Sequence, residues 1–283
     1  MTVKQILTNT VSKFKKANIP SPHLDGEILL SHALKKPKEF LYAHPGHKVS
    51  KSTETRLAPL LKCRLAREPI AYIVNCKEFY GYDFYVDKRV LIPRPETEKL
   101  VDEIKTQISK LKTQNYNSKL KTKQNNLIII DVGTGSGCII ISLVKELLKS
   151  ASNYQLSIIN YSTFIATDIS ADALEVAKIN AKKHKVEKYV TFLQGDLLEP
   201  ILNSKFFPPI RRIKFLIVIA NLPYITPKNY LTLQQEIKKY EPKLALLTPD
   251  EGADYYYKKL DCQIAELQKR TKTKIWRFYE KAC

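Results

Sequence analysis

The sequence predicts an α/β fold: a doubly wound, mostly parallel sheet preceded by a small N-terminal helical bundle and a β-hairpin linker. Three observations carry this expectation. From residue 127 onward, short β-rich apolar runs (LIII, FIAT, FLIVIA) alternate with helix-length periodic segments, as in a parallel sheet with helical crossovers. Before residue 75 the apolar residues recur at helical spacing. Between the two regions, FYGYDFYV alternates with period two around Gly81.

The elements follow in order. Ile6, Leu7, Val11 and Phe14 fall on one face of a first helix, which is ended by Asn18-Ile19-Pro20. Ser21-Pro22 opens a second helix carrying Leu24, Ile28, Leu29 and Leu34, and a third spans 52–67 with Ser52 or Thr53 as N-cap. These make an N-terminal helical domain over 1–75, followed by the hairpin linker over 76–92. Pro93-Arg94-Pro95 and Glu96-Thr97-Glu98 lead into a helix over 100–111 and open a second domain over 93–283. Residues 112–126 and 149–162 are polar and read as insertions. Strands at 127–132, 164–167, 189–193, 215–220 and 274–278 alternate with helices at 137–148, 171–184 and 252–268. Binding sites in such sheets lie at the carboxyl ends of the strands, and each motif below falls there.

Composition excludes several classes. At 283 residues, 44% hydrophobic and 27% charged, the chain is an ordinary globular protein with room for a sizeable core. No apolar run approaches bilayer length, and the Met1 segment is too polar for a signal peptide. The five cysteines (Cys63, Cys76, Cys138, Cys262, Cys283) show no CxxC and no metal-ligand spacing with histidine. A reduced cytoplasmic compartment without a metal site or membrane attachment is expected. The net charge of +19 leaves two readings open, a generally solvated basic surface and a face for polyanions. Nucleic-acid contact is therefore compatible but not required.

Four motifs sit at strand tips. In LIIIDVGTGSGCI a buried strand runs into Gly133, Thr134, Gly135, Ser136 and Gly137 and then a helix. Such a turn lets a ligand approach the backbone and offers helix N–H groups. The GxGxG spacing fits neither a P-loop nor the usual dinucleotide fingerprint, so a nucleotide-like ligand and a plain strand-helix turn both remain. Asp168 ends the next strand, where it could accept from both ribose hydroxyls or cap the following helix. Asp196 and Leu197 follow the third strand. There the carboxylate could take an adenine amine and Leu197 could pack on the ring, or Asp196 could serve only the turn.

The fourth motif, Asn221-Leu222-Pro223-Tyr224, ends the buried run FLIVIA, where a polar Asn needs partners. The Asn221 side-chain oxygen and the Leu222 carbonyl could each accept one N–H of an NH2 group on an amide or an aromatic amine. That would orient a nitrogen whose lone pair is otherwise delocalised. Pro223 stiffens the turn and keeps Leu222 extended. Tyr224 offers a flat face to a planar group.

Together these residues resemble a class I S-adenosylmethionine-dependent methyltransferase, Rossmann-like in fold and of the amino-methylating group. The best-known form of the fourth motif is NPPY; here it reads NLPY, also familiar from rRNA adenine dimethyltransferases. The strings SPHLDGEILLSHAL, REPIAYI, EFYGYDFYV, VLIPRPETEKLV and EPKLALLTPDEGADYYYKKL resemble the release factor glutamine methyltransferase (HemK/PrmC) family over about residues 20–280. The resemblance implies methyl transfer to the side-chain amide of the glutamine in the GGQ motif of peptide chain release factors, with a ribosomal-protein glutamine as a sister substrate. It implies a cofactor pocket at Gly133 to Gly137, Asp168 and Leu197, an amide site at Asn221 to Tyr224, and a helical domain that engages the release factor. The alternatives are an adenine amino-methyltransferase on rRNA or DNA and a non-catalytic methyltransferase scaffold. Arg67 and Asn75 stand where family members usually have glycine; asparagine tolerates a left-handed backbone, and arginine does so less well. Family members also continue through an antiparallel strand pair, so those C-terminal strands are expected to be missing after Cys283.

Overall fold

The computed structural model describes residues 1–115, 127–149, 162–203, 215–249 and 252–280. The chain divides into two compact units, one of Met1–Cys76 with Leu233–Tyr240 and one of Lys77–Thr232 with Glu241–Cys283.

The first unit is helical: α1 (Val3–Lys16), α2 (Pro22–Leu34), α3 (Lys38–Ala43), α4 (Lys51–Leu65) and α5 (Ile70–Ile73). A capping box starts α1. Thr2 Oγ1 accepts from Gln5 N–H, and the Gln5 side chain accepts from Thr2 N–H at 2.9 Å. Val3, Ile6, Thr10 and Phe14 then form one buried stripe, and α2 supplies Leu29, Leu30 and Ala33 to the same core. The third expected helix begins earlier than Ser52. Ser50 Oγ accepts from Thr53 N–H at 3.3 Å, which makes Ser50 the cap and places Ser52 and Thr53 inside the first turn. The short α3 and α5 were not visible as separate periodic segments.

Arg64 and Asp25, only 4% and 5% exposed, form an ion pair at 2.6 Å, and Arg64 also meets Glu236 at 3.0 Å. Both non-glycine positions flagged above are left-handed, Arg67 at φ 72° and Asn75 at φ 50°. Arg67 holds that backbone while its guanidinium donates to Ala17 carbonyl at 2.7 Å.

The second unit opens with a hairpin, β1 (Lys77–Phe79) and β2 (Tyr82–Phe84), closed by Tyr80 and Gly81 at φ 55° and 72°. Strand pairing stops at Phe84 because the next residue is taken elsewhere: Tyr85 N–H and C=O bond the Asn180 side-chain amide at 2.7 and 2.9 Å. A 3-10 turn over Pro95–Thr97 enters α6 (Glu98–Asn115). This helix continues past the expected end at 111, since lysine and glutamine propagate helix as readily as they populate loops. The rest of that expected insertion, 116–126, and most of the second one, 150–161, lie outside the described residues.

The remaining elements are β3 (Leu127–Val132), α7 (Cys138–Lys149), β4 (Ser162–Asp168), α8 (Ala171–Lys183), β5 (Val190–Gln194), α9 (Glu199–Leu202), β6 (Phe215–Ala220), α10 (Pro227–Tyr230), α11 (Gln235–Tyr240), which belongs to the helical unit, α12 (Tyr255–Thr271) and β7 (Ile275–Tyr279). The five strands β3 to β7 form one sheet in the order β5-β4-β3-β6-β7, and every pair is parallel. Alternate residues face opposite sides and both sides are covered. Ile129, Phe164, Ile217 and Ile219 pack with α6 and α7, while Ile128, Ile130, Leu216 and Val218 pack with Leu260, Ile264 and Leu267 of α12. The chain leaves β3 toward β4 on one side and later returns to β6 on the other. This makes the carboxyl ends of β3 and β6 the switch point where such sheets bind ligands. Register brings Val132, Thr167 and Ala220 level there. Among the described residues no helix is long and apolar enough to cross a membrane, and no cluster of His, Cys, Asp and Glu could hold a metal.

Candidate active site

A cleft opens at this switch point, lined by the strand tips and by segments 89–97 and 242–245. The turn after β3 forms its floor. Gly133 and Thr134 N–H donate to Thr167 carbonyl at 2.9 and 3.0 Å, which ties the turn to the neighbouring strand. Thr134 Oγ1 donates to Asp131 Oδ2 at 2.7 Å, and burial pushes the Asp131 carboxyl up to about 7. Asn180, already bonded to Tyr85, also donates to Ser136 carbonyl at 2.9 Å and so fixes the turn from behind.

Asp168 accepts from Gly135 N–H through Oδ2 and from Ser170 N–H through Oδ1, each at 2.9 Å. The cap of α8 is Ser170, whose Oγ accepts from Ala173 N–H at 3.1 Å, so the reading of Asp168 as the helix cap does not hold. Burial raises the Asp168 carboxyl above the ordinary range, against the lowering effect of those backbone donors. Asp196 lines the same cleft and is ion-paired to Lys259. Leu197 beside it is buried and left-handed at φ 52°, a strained conformation of the kind that clusters at ligand sites.

At the tip of β6, Asn221 Nδ2 donates to Thr97 Oγ1 at 3.1 Å, which turns the Asn221 side-chain oxygen away from Thr97. Leu222 N–H donates to the Tyr257 hydroxyl at 3.1 Å, and that hydroxyl donates to Glu280 carbonyl. The same hydroxyl lies a long 3.4 Å from Leu222 carbonyl; with its one proton engaged by Glu280, it leaves that carbonyl to other donors. Burial raises the Tyr257 phenol to about 12, so it stays protonated. Segment 89–97 is braced by Glu241, 2% exposed, whose carboxylate accepts from Ile92 N–H at 3.2 Å and from Arg94 Nη2 at 2.7 Å.

Of the residues singled out in the sequence, Gly133, Thr134, Gly135, Asp168, Asp196, Leu197, Asn221, Leu222 and Pro223 line one cleft. Ser136 and Gly137 lie behind its floor, and Tyr224 faces a separate hollow with Tyr257, Asp261 and Tyr279. Thr97, Arg94, Glu241, Tyr256 and Tyr257 were assigned no role from sequence, although two of the strings that carry the family resemblance contain them. The lining suits an adenosyl ligand. Two carboxylates can take hydroxyl and amine protons, apolar side chains such as Ile169, Leu197 and Leu244 can sandwich a ring, and a Cβ on Gly135 would meet nothing within 4 Å among the described residues.

Residues 123–267 match the family model described as a methyltransferase domain, and residues 5–74 match the PrmC N-terminal domain. The fold is therefore that of a class I methyltransferase. A release factor glutamine methyltransferase of Chlorobaculum tepidum is 34% identical over 254 residues, covering 90% of this chain and 78% of that protein. One from Clostridium acetobutylicum is 34% identical over 256 residues, covering 90% and 79%. The chain belongs to the release factor glutamine methyltransferase family. It also matches a bifunctional methyltransferase of Rickettsia prowazekii, 38% identical over 259 residues, but spans only 46% of that protein's length.

Proposed function

We propose that this chain transfers a methyl group from S-adenosylmethionine to the side-chain amide nitrogen of the glutamine in the GGQ motif of peptide chain release factors. The observation that carries this is the acceptor pair at the tip of β6: an Asn221 oxygen turned away from Thr97, beside the Leu222 carbonyl, in the cleft that Asp168 and the glycine turn share. Two acceptors fixed in this way suit the two N–H groups of a primary amide and hold its plane, so that the nitrogen is aligned for attack.

When bound, S-adenosylmethionine supplies an electrophilic methyl on a sulfonium sulfur. Asp168 would accept from the ribose hydroxyls, Leu197 would pack on the adenine and Asp196 would receive its amine. The carboxylates of Asp168 and Asp196, which line the cleft, favour a cationic ligand at this end of an otherwise basic protein. No base acts before the transfer: Asn221 and Leu222 hold the amide through its protons, and the surplus proton leaves the nitrogen afterwards. Pro223 and Tyr224 keep the turn in shape. The helical unit engages the release factor, and the reaction takes place in the cytoplasm.

Incubation of the purified chain with methyl-labelled S-adenosylmethionine and a release factor, a GGQ peptide or rRNA tests the reading. Label in the GGQ glutamine is expected. Label in RNA would make it an adenine methyltransferase, and cofactor binding without transfer to any substrate would make it a scaffold.

A further inference from the structure

We propose that Lys259 and Gln263 of α12 are positioning residues for the cofactor's purine: they hold the turn after β5 so that Asp196 reads the exocyclic amine of adenine. The inference rests on the reading of Asp196 as the acceptor of that amine. Tyr256, Lys259 and Gln263 stand at helical spacing and share one face of α12. Tyr256 lines the cleft, and the next two residues of that face reach the turn. Lys259 Nζ donates to Asp196 Oδ2, and Gln263 Oε1 accepts from Leu198 N–H at 2.7 Å. The start of the turn is tied to β4, since Gly195 N–H donates to Asp168 carbonyl at 3.0 Å. Leu197, between the two contacts from α12, is the left-handed residue of the turn.

The turn needs such bracing. A leucine at φ 52° is in a conformation that its own side chain disfavours, and it persists only where the surroundings over-determine it. Gln263 holds the backbone on one side of Leu197, and Lys259 holds the carboxylate on the other. With Oδ2 engaged by the ammonium, Asp196 Oδ1 is left to accept from a guest. The pairing also decides which purine fits. Adenine presents N–H donors at its six position, whereas hypoxanthine presents a carbonyl oxygen there, and two acceptors cannot share a hydrogen bond. An ammonium could serve that oxygen, but Lys259 is committed to Asp196. A site built to bond an N–H discriminates strongly against an analogue that lacks it. The bond to Asp196 also raises the Lys259 ammonium above its ordinary range, which keeps it charged.

Titration calorimetry of the purified chain with S-adenosylhomocysteine and S-inosylhomocysteine separates this role from general support of the fold. The wild type should bind the adenosyl form at least about 30-fold more tightly. Lys259→Met should raise the Kd of the adenosyl form about tenfold and that of the inosyl form by less than about twofold, and Lys259→Arg should restore the preference. Lys259 is 36% exposed, so the midpoint of urea unfolding without ligand should hardly move. Gln263→Leu strands the Leu198 N–H and should lose the preference too, while Gln263→Glu keeps an acceptor and should retain it. Equal weakening of both ligands in Lys259→Met, or an unchanged preference in that variant or in Gln263→Leu, would overturn the inference and leave the role of Asp196 standing. Equal affinity of the wild type for the two ligands, or an unchanged preference in Asp196→Ala, would overturn the assignment of Asp196 to the amine and this inference with it.

Discussion

Gly135 and Gly137 stand two residues apart in the same turn, both left-handed, and the structure predicts different consequences for adding one methyl group to each. Gly137 has φ 80°, and a Cβ there would meet Ile141 Cδ1 at 2.8 Å, Ala177 Cβ at 3.2 Å and Ala177 Cα at 3.4 Å. The isoleucine tip can swing aside, but the Ala177 backbone is part of α8 and cannot. Gly135 has φ 55°, and a Cβ there meets nothing within 4 Å among the described residues. Both substitutions carry the left-handed penalty of about 1–2 kcal/mol, and only Gly137→Ala adds overpacking of about 1–3 kcal/mol. Gly137→Ala should therefore destabilise the ligand-free protein by about 2–5 kcal/mol, against about 1–2 for Gly135→Ala. The empty space beside Gly135 is the cleft itself, so that variant should lose affinity for S-adenosylmethionine out of proportion to its stability. Urea unfolding without ligand measures the first quantity, read as a shift in midpoint at constant slope, and titration calorimetry measures the second. Equal stability losses would refute the packing account of Gly137. Unchanged cofactor affinity in Gly135→Ala would refute the assignment of that space to the cofactor.

Three further outcomes follow. Asn221→Ala should lower kcat for GGQ peptide by at least about 100-fold, the scale of one lost oriented polar contact in a transition state, with cofactor affinity nearly unchanged; near-normal turnover removes Asn221 from the amide site. Asp168→Ala should weaken S-adenosylmethionine binding by about tenfold or more, since each hydrogen bond to a charged group contributes about 1.5–3 kcal/mol, and an unchanged Kd measured by calorimetry would reduce Asp168 to a brace for the Gly135 and Ser170 amides. Asp131, raised to about 7 from an ordinary 3.8, keeps its proton in the folded state over a range where the unfolded chain has released it. Stability from this group is thus fully present below about pH 4 and is lost as pH rises toward 7, a change of a few kcal/mol at about 1.4 kcal/mol per pH step. Urea unfolding at pH 5 and pH 8 should show that loss in the wild type and much less of it in Asp131→Asn; an equal pH dependence in both proteins places its source elsewhere.

How much of this was legible beforehand depended on whether a residue's role is local. β3 and β6 begin and end at the residues expected, because uninterrupted apolar β-rich runs between polar flanks admit one boundary. The polar end of α6 carried no such contrast, and the early stop of β2 was set by Asn180, 95 positions from the Tyr85 backbone it captures. The site divides in the same way. The glycine turn, Asp168, Asp196 and Asn221 could be found because each is a conspicuous residue at the end of a recognisable strand. Thr97, Tyr257 and Glu280 could not, since nothing near them in the chain marks a hydroxyl that will meet an amide 124 positions away or a phenol that will hold an N–H 35 positions back.

Leu222 stands where the backbone and side-chain restraints of the site meet. Proline at that position would have no N–H, whereas leucine brings one into a buried strand end, and left unpaired it would cost about 1–3 kcal/mol. The Tyr257 hydroxyl accepts it, and the leucine side chain, 4% exposed, reaches to within 2.9 Å of where a Cβ on Gly133 would lie. The stiffness that a proline ring would give is thus replaced by two external restraints, a hydrogen bond on the backbone and packing on the glycine turn. Pro223 still holds Leu222 out of the helical region, so the carbonyl keeps its direction. The departure from NPPY then changes what restrains the acceptor pair and leaves the pair itself intact. By the same logic Tyr257→Phe should damage this protein more than it would damage a chain with proline at that position, because only here does it strand a donor.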